Sequence, residues 1–223
     1  MVSLRKCAVV MMFMASPAMS QEISYYAGIS ATSNYVSNGI TQTSGNPAIQ
    51  PYLEMEYAGF YAGTWLSNVD FGTGDHVEID LYLGYRTTLA EKLYVDVGYA
   101  RYFYDDSGDC CGELKLTAVY PILPNLAVEA YLAYDTQSHN LNKRGKIAYK
   151  INDQLAVSGR YGETESNDNE YWDVGGSYAF NEKWSADLRY YGAETGDEGV
   201  VFTLSLATSQ STFSRLFVNP FTR

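Results

Sequence analysis

No stretch of this 223-residue chain is apolar for long enough to cross a bilayer as a helix. The first apolar run, Cys7–Ala15, is too short, and beyond it Asp, Glu, Lys or Arg interrupts every such run. Basic residues are also scarce. Fifteen Lys and Arg against 26 Asp and Glu give a formal net charge of −11, and without a basic patch to follow phosphates nucleic acid is excluded as a partner. There are two histidines, His76 and His139. Neighbouring residues of an extended chain point to opposite faces, so neither histidine builds a nucleophile–base–orienter line with its own neighbours. Only a pairing of His139 with a distant Ser stays open, and a lipid-acting barrel enzyme is a remote alternative. Past Cys7, cysteine occurs only as the adjacent pair Cys110 and Cys111. Two thiols in one loop are too few for a zinc site. A vicinal disulfide is open to them in an oxidising compartment, strained because neighbouring Cα atoms lie about 3.8 Å apart. No phosphate loop, metal motif or cofactor fingerprint is present, so no cofactor is expected and the chain reads as a non-enzyme.

What the sequence does contain is rhythm. Arg5 and Lys6, the apolar run and the small residues around Ala18-Met19-Ser20 read as a secretory signal over 1–20, cut before Gln21. Strands are then expected at 23–36, 47–57, 60–69, 76–87, 93–104, 112–120, 126–135, 141–151, 155–163, 170–180, 184–193 and 199–207. Their connections alternate in character. Tight turns such as Tyr57-Ala58-Gly59-Phe60 and Asn181-Glu182-Lys183 take turns with longer, acidic, Gly-rich segments such as Ser37–Asn46, Asp70–Asp75 and Asp105–Cys111. An outer-membrane barrel sorts its connections in this way, with short turns on the periplasmic side and long loops outside. The predicted fold is therefore an all-β, antiparallel transmembrane barrel of about 12 strands over 21–207, followed by a tail, 208–223.

The faces of these strands are legible. Val77, Ile79, Leu81, Leu83 and Tyr85 alternate with Glu78, Asp80, Tyr82, Gly84 and Arg86, the period-two pattern of a strand between oil and water. Trp65 and Leu66 claim opposite faces of their strand, and Lys143 falls on the apolar phase of its own. Tyr gathers at strand ends (Tyr85, Tyr104, Tyr120, Tyr134, Tyr149, Tyr161, Tyr178, Tyr190), where rings form the girdles of a membrane barrel. The expected surroundings are outer-membrane lipid and lipopolysaccharide.

Two motifs are more specific. Ser33-Asn34-Tyr35-Val36-Ser37-Asn38-Gly39-Ile40-Thr41-Gln42-Thr43 is followed by Pro47-Ala48-Ile49-Gln50. Gly59-Phe60-Tyr61-Ala62-Gly63-Thr64-Trp65-Leu66-Ser67-Asn68-Val69 is followed by Glu78–Tyr85. Together they resemble the proteobacterial porin family labelled TorF, most strongly over 29–104. The resemblance implies an outer-membrane barrel and names no solute. It departs at Ser37-Asn38, where the family tends to carry Phe-Arg, and at the C-terminus, where Phe213 stands for the terminal aromatic.

If the polar phase faces inward, the candidate pore-lining residues are Glu54, Glu78, Asp80, Arg86, Asp96, Glu129, Arg144, Lys146, Lys150, Arg160, Asp173, Asp187 and Arg189. Acid dominates the first half of the chain, and Arg144, Lys146, Lys150 and Arg160 cluster later. Two readings follow. Opposed walls set up a transverse field in a channel for small hydrophilic solutes or ions, or salt bridges plug a closed structural barrel. The acidic loops, Asp105, Asp106 and Asp109 among them, predict a weak cation preference.

Overall fold

A strand with one wet face and one apolar face has nowhere to place its edges in lipid unless the sheet closes, and here it closes. The computed structural model describes residues 22–208 apart from 91, 166, 167 and 197. The expected signal segment, and the tail beyond Thr208, lie outside the described residues. Twelve antiparallel strands form the barrel: β1 (Ser24–Thr32), β4 (Ala48–Tyr57), β5 (Phe60–Asn68), β6 (Val77–Leu89), β7 (Leu93–Tyr104), β8 (Gly108–Leu123), β9 (Leu126–Asp135), β10 (Leu141–Lys150), β11 (Leu155–Thr164), β12 (Asn169–Ala179), β13 (Trp184–Ala193) and β14 (Gly199–Ala207). Each pairs with its sequence neighbour, and β1 closes the ring onto β14 from Gly28↔Ala207 to Thr32↔Thr203. Thr208 extends this seam through a bond from its N–H to the Ala27 carbonyl (2.8 Å).

The expected phase holds around the ring. Leu83, Val97, Ile147, Val174, Leu188 and Phe202 are exposed on the outside, a band that only lipid can cover. Aromatic belts flank it. Tyr57, Phe60, Tyr85, Tyr120, Tyr149, Tyr178 and Trp184 lie toward the tight turns, and Tyr134, Tyr161, Trp172 and Tyr190 toward the other rim.

Four expectations need correction or resolution. Tyr104 points inward and packs beside Tyr35, Trp65 and Val69, so it is not a girdle residue. The first strand stops at Thr32 instead of running to 36, because the chain turns back on itself in the short hairpin β2 (Val36–Ser37) and β3 (Ile40–Thr41). Asn38 (φ 50°) and Gly39 (φ 78°) make its turn, the left-handed pair a two-residue hairpin requires. The connection expected over Asp105–Cys111 shrinks to residues 105–107, since β8 begins at Gly108. Cys110 and Cys111 therefore sit inside a strand, where Tyr102↔Cys111 is followed by Phe103↔Asp109. Cys110 is the extra residue of a β-bulge and is disulfide-bonded to Cys111. Finally, Trp65 settles inward, buried, and Lys143 settles outward near the loop rim, beside Glu163 (3.4 Å) and Glu165 (3.0 Å).

Candidate functional site

All thirteen candidate residues lie on the inward phase, but they do not share one environment. The lumen divides into a filled part, behind β4–β8, and an open part, behind β1 and β10–β14.

In the filled part, acids and tyrosines interlock. Arg86 on β6 reaches Glu54 and Glu56 on β4, the latter at 2.5 Å, and its guanidinium lies 4.6 Å from the centre of the Tyr61 ring. Tyr61 donates to Asp96 (2.6 Å), as does Tyr94 (3.2 Å). Glycines make room for these rings. A Cβ at Gly84 would lie 2.4 Å from the Tyr61 hydroxyl oxygen, and one at Gly98 2.7 Å from it. Glu54, Glu78 and Asp80 are all at most 5% exposed. A cavity of about 70 Å³ remains there, touched by Glu54, Asp80 and Arg86. Burial of a carboxylate is sustained by pairing and hydrogen bonding, as Arg86 provides for Glu54.

The open part holds a cavity of about 230 Å³. Its lining runs from the β2–β3 hairpin to Lys183 and Ala207 at the tight-turn rim. Lys146 on β10, Arg160 on β11 and Arg189 on β13 face it together with Asp173 and Asp187. Asp173 sits between Arg160 and Arg189 and is bonded to both. Arg189 also reaches Asp187 (3.1 Å) and the Ser158 hydroxyl (3.2 Å). Across the lumen stand Tyr52 and Trp65, and Trp65 lines both cavities. Glu129 and Arg144 pair with each other at 3.2 Å beside the cavity, not on it, with Arg144 over the Tyr131 ring (4.2 Å). Lys150 is drawn to Asp153 in the turn below (2.7 Å).

The motif around Asn34, expected as the end of the first strand and the loop Ser37–Asn46, is the part of the site whose hairpin sequence reasoning did not place. Asn34 Oδ1 accepts from Thr41 Oγ1 (2.7 Å) and from Thr43 Oγ1 (3.1 Å), and Thr43 is fully buried. The hairpin thus braced leans over the mouth to the far wall. Asn142 on β10 donates to Asn38 Oδ1 (3.0 Å), Asn169 on β12 donates to the Asn38 carbonyl (2.9 Å), and Asn34 donates to the Tyr191 hydroxyl (3.1 Å). Gly39 fits only because it has no side chain, as a Cβ would lie 2.4 Å from that of Ala193. The Asn38-Gly39 dipeptide was the available signal for this hairpin.

The loop acids are engaged locally. Asp105 accepts the backbone N–H groups of His76 (2.8 Å) and Val77 (2.9 Å), which hold its carboxyl below the usual range. Asp75 accepts those of Ser107 (2.8 Å) and Asp106 (3.1 Å), with the same effect led by Ser107. Asp109 is clasped by Arg101 (2.5 Å). His139 meets the Tyr134 hydroxyl (2.8 Å) at the outer rim.

A closed antiparallel barrel with an apolar exterior, aromatic belts and a charged, partly open lumen defines the class: a transmembrane β-barrel of the outer-membrane porin type. Within it, the chain belongs to the family of bacterial proteins of unknown function labelled Gcw_chp, whose profile matches residues 15–218. Among solved structures its fold is similar to the KdgM porin (TM-score 0.64, 10% identity, 83% of this chain and 99% of that one). It is similar as well to the KdgM porin in complex with disordered oligogalacturonate (0.63, 9%, 84% and 99%), and to the NanC porin (0.53, 12%, 84% and 100%). No curated protein sequence matches it.

Proposed function

We propose that this protein is a passive channel for small hydrophilic solutes in the outer membrane, exported by the signal at 1–20 and seated in lipid and lipopolysaccharide. The carrying observation is the cavity that follows β1 and β12–β14 from the hairpin to the tight-turn rim, lined by Ser30, Thr203, Ser205 and charged side chains. A barrel that served only as a scaffold would gain stability by filling that space. The solute in one KdgM porin structure supports the same reading, and the TorF resemblance agrees with it. The thirteen inward residues divide on this reading into wall-builders, such as Glu78 and Asp96, and solute-facing groups, such as Lys146 and Asp187.

A weak cation preference finds no support in the lumen, where Glu54, Glu78 and Asp80 are buried in the filled part; at the mouth Asp105 is bound by backbone N–H groups and Asp109 by Arg101. A closed structural barrel is the second reading, and the hairpin across the mouth favours it. Single-channel recording of the refolded protein in a planar bilayer decides between them. Discrete conductance steps are expected, and their absence in repeated reconstitutions establishes the closed barrel.

A further inference from the structure

The charges that a solute meets are not those of the whole lumen. Those on the open cavity are Lys146, Arg160, Lys183 and Arg189 against Asp173 and Asp187. Both carboxylates are already committed to arginines, Asp173 to two of them. Lys146 is different. It faces the cavity, and among the described residues its ammonium has no carboxylate within ion-pair distance. Its nearest carboxylate on the ladder, Glu129, is held by Arg144. The excess charge of the passage is therefore positive, and it sits on β10–β13. In the other half Glu54, Glu78 and Asp80 are buried, and none of the acids there lines the open cavity.

The opposite wall carries different chemistry. Tyr52 and Trp65 line the cavity there, and Ser30 and Thr203 supply hydroxyls. Aromatic faces pack against the apolar faces of small rings, while a field of fixed cations in a narrow, poorly screened passage favours anions.

We infer that the open half of the lumen is an anion-selective passage with a binding site for small hydroxylated carboxylates, Lys146, Arg160 and Arg189 receiving the carboxylate and Tyr52 and Trp65 the body of the solute. This rests on the channel reading. Lys146 is the residue that sets selectivity, because it alone among the three has no fixed carboxylate partner.

Three probes of nearly equal size test it: glucuronate, glucose and glucosamine, added to the refolded mature protein in a planar bilayer. Wild type should show a reversal potential of anion sign in a potassium chloride gradient, and glucuronate should reduce the open-channel current severalfold more than glucose or glucosamine at equal concentration. Lys146→Gln should lose most of both effects, and Asp187→Asn should shift the reversal potential further to the anion side, an opposite change that general damage to the barrel would not produce. A conducting channel with zero or cation-sign potential and equal block by the three sugars overturns the inference and leaves the channel standing. An anion preference unmoved by either substitution overturns its assignment to this wall. Folded, heat-modifiable protein that never conducts overturns the channel reading and the inference with it.

Discussion

One lumen contains two answers to the problem of charge inside a barrel. Behind β4–β8, carboxylates are paired with Arg86 or hydrogen-bonded by tyrosine hydroxyls, glycines yield to the rings, and about 70 Å³ is left. Behind β10–β14, arginines share Asp173, Lys146 has no carboxylate at ion-pair distance among the described residues, and about 230 Å³ stays open. The difference teaches that counting inward charges does not give a channel's polarity. What matters is which charges remain exposed once side chains have packed. On the proposed channel reading, the filled half is a buttress and the open half is the surface available to a solute.

The largest effect should come from breaking the buttress. Arg86→Ala leaves Glu54 and Glu56 without their cation, and removing one partner of a buried pair costs about 3–5 kcal/mol. The loss should appear in urea unfolding from lipid bilayers, whereas Lys146→Gln in the open half should leave the unfolding midpoint nearly unchanged. Next comes the outer surface. Leu83→Arg or Leu132→Arg should cost about 2–4 kcal/mol near the bilayer midplane, and Tyr131→Arg, on the inward phase, should cost less in the same assay. Equal costs would mean that the two faces had been exchanged. A smaller effect, about 1 kcal/mol, is expected where the hairpin meets the open half. Asn38→Ala removes the acceptor for Asn142 and should raise single-channel conductance or its fluctuation at that modest cost in stability.

The smallest effect concerns the loops. The carboxyls of Asp75 and Asp105 are held below their ordinary value of 3.8 by backbone N–H donors. A lowered pKa in the folded state stabilises above the ordinary value and is lost as pH falls through the folded one. The segments around 75–77 and 105–107 should therefore loosen below pH 3.8, seen as cleavage there in limited pepsin digestion across that window, while the barrel strands stay protected. Because Asp105 is bound by backbone N–H groups and Asp109 by Arg101, neutralising Asp105, Asp106 and Asp109 together should leave ion preference unchanged, and a shift in reversal potential would return selectivity to the mouth.

The sequence by itself determined the barrel. A period of two over strands such as Val77–Arg86 separates apolar from polar side chains whatever surrounds them, and the alternation of tight and long connections fixes which strands are neighbours. These are local facts, written in adjacent residues. It also placed all thirteen charged candidates on the inner face, because one phase of each strand carries them. Only the tertiary structure decided what those residues do there. Whether Glu54 meets Arg86, or Lys146 finds no carboxylate at ion-pair distance among the described residues, depends on register between strands and on rings such as Tyr61 and Trp65 that occupy or vacate the space between walls. The hairpin at Asn38-Gly39 shows the same limit. Its turn chemistry is local and was legible, but its reach to Asn142 and Asn169, more than a hundred residues away along the chain, exists only after the sheet has closed and brought the far wall across the mouth.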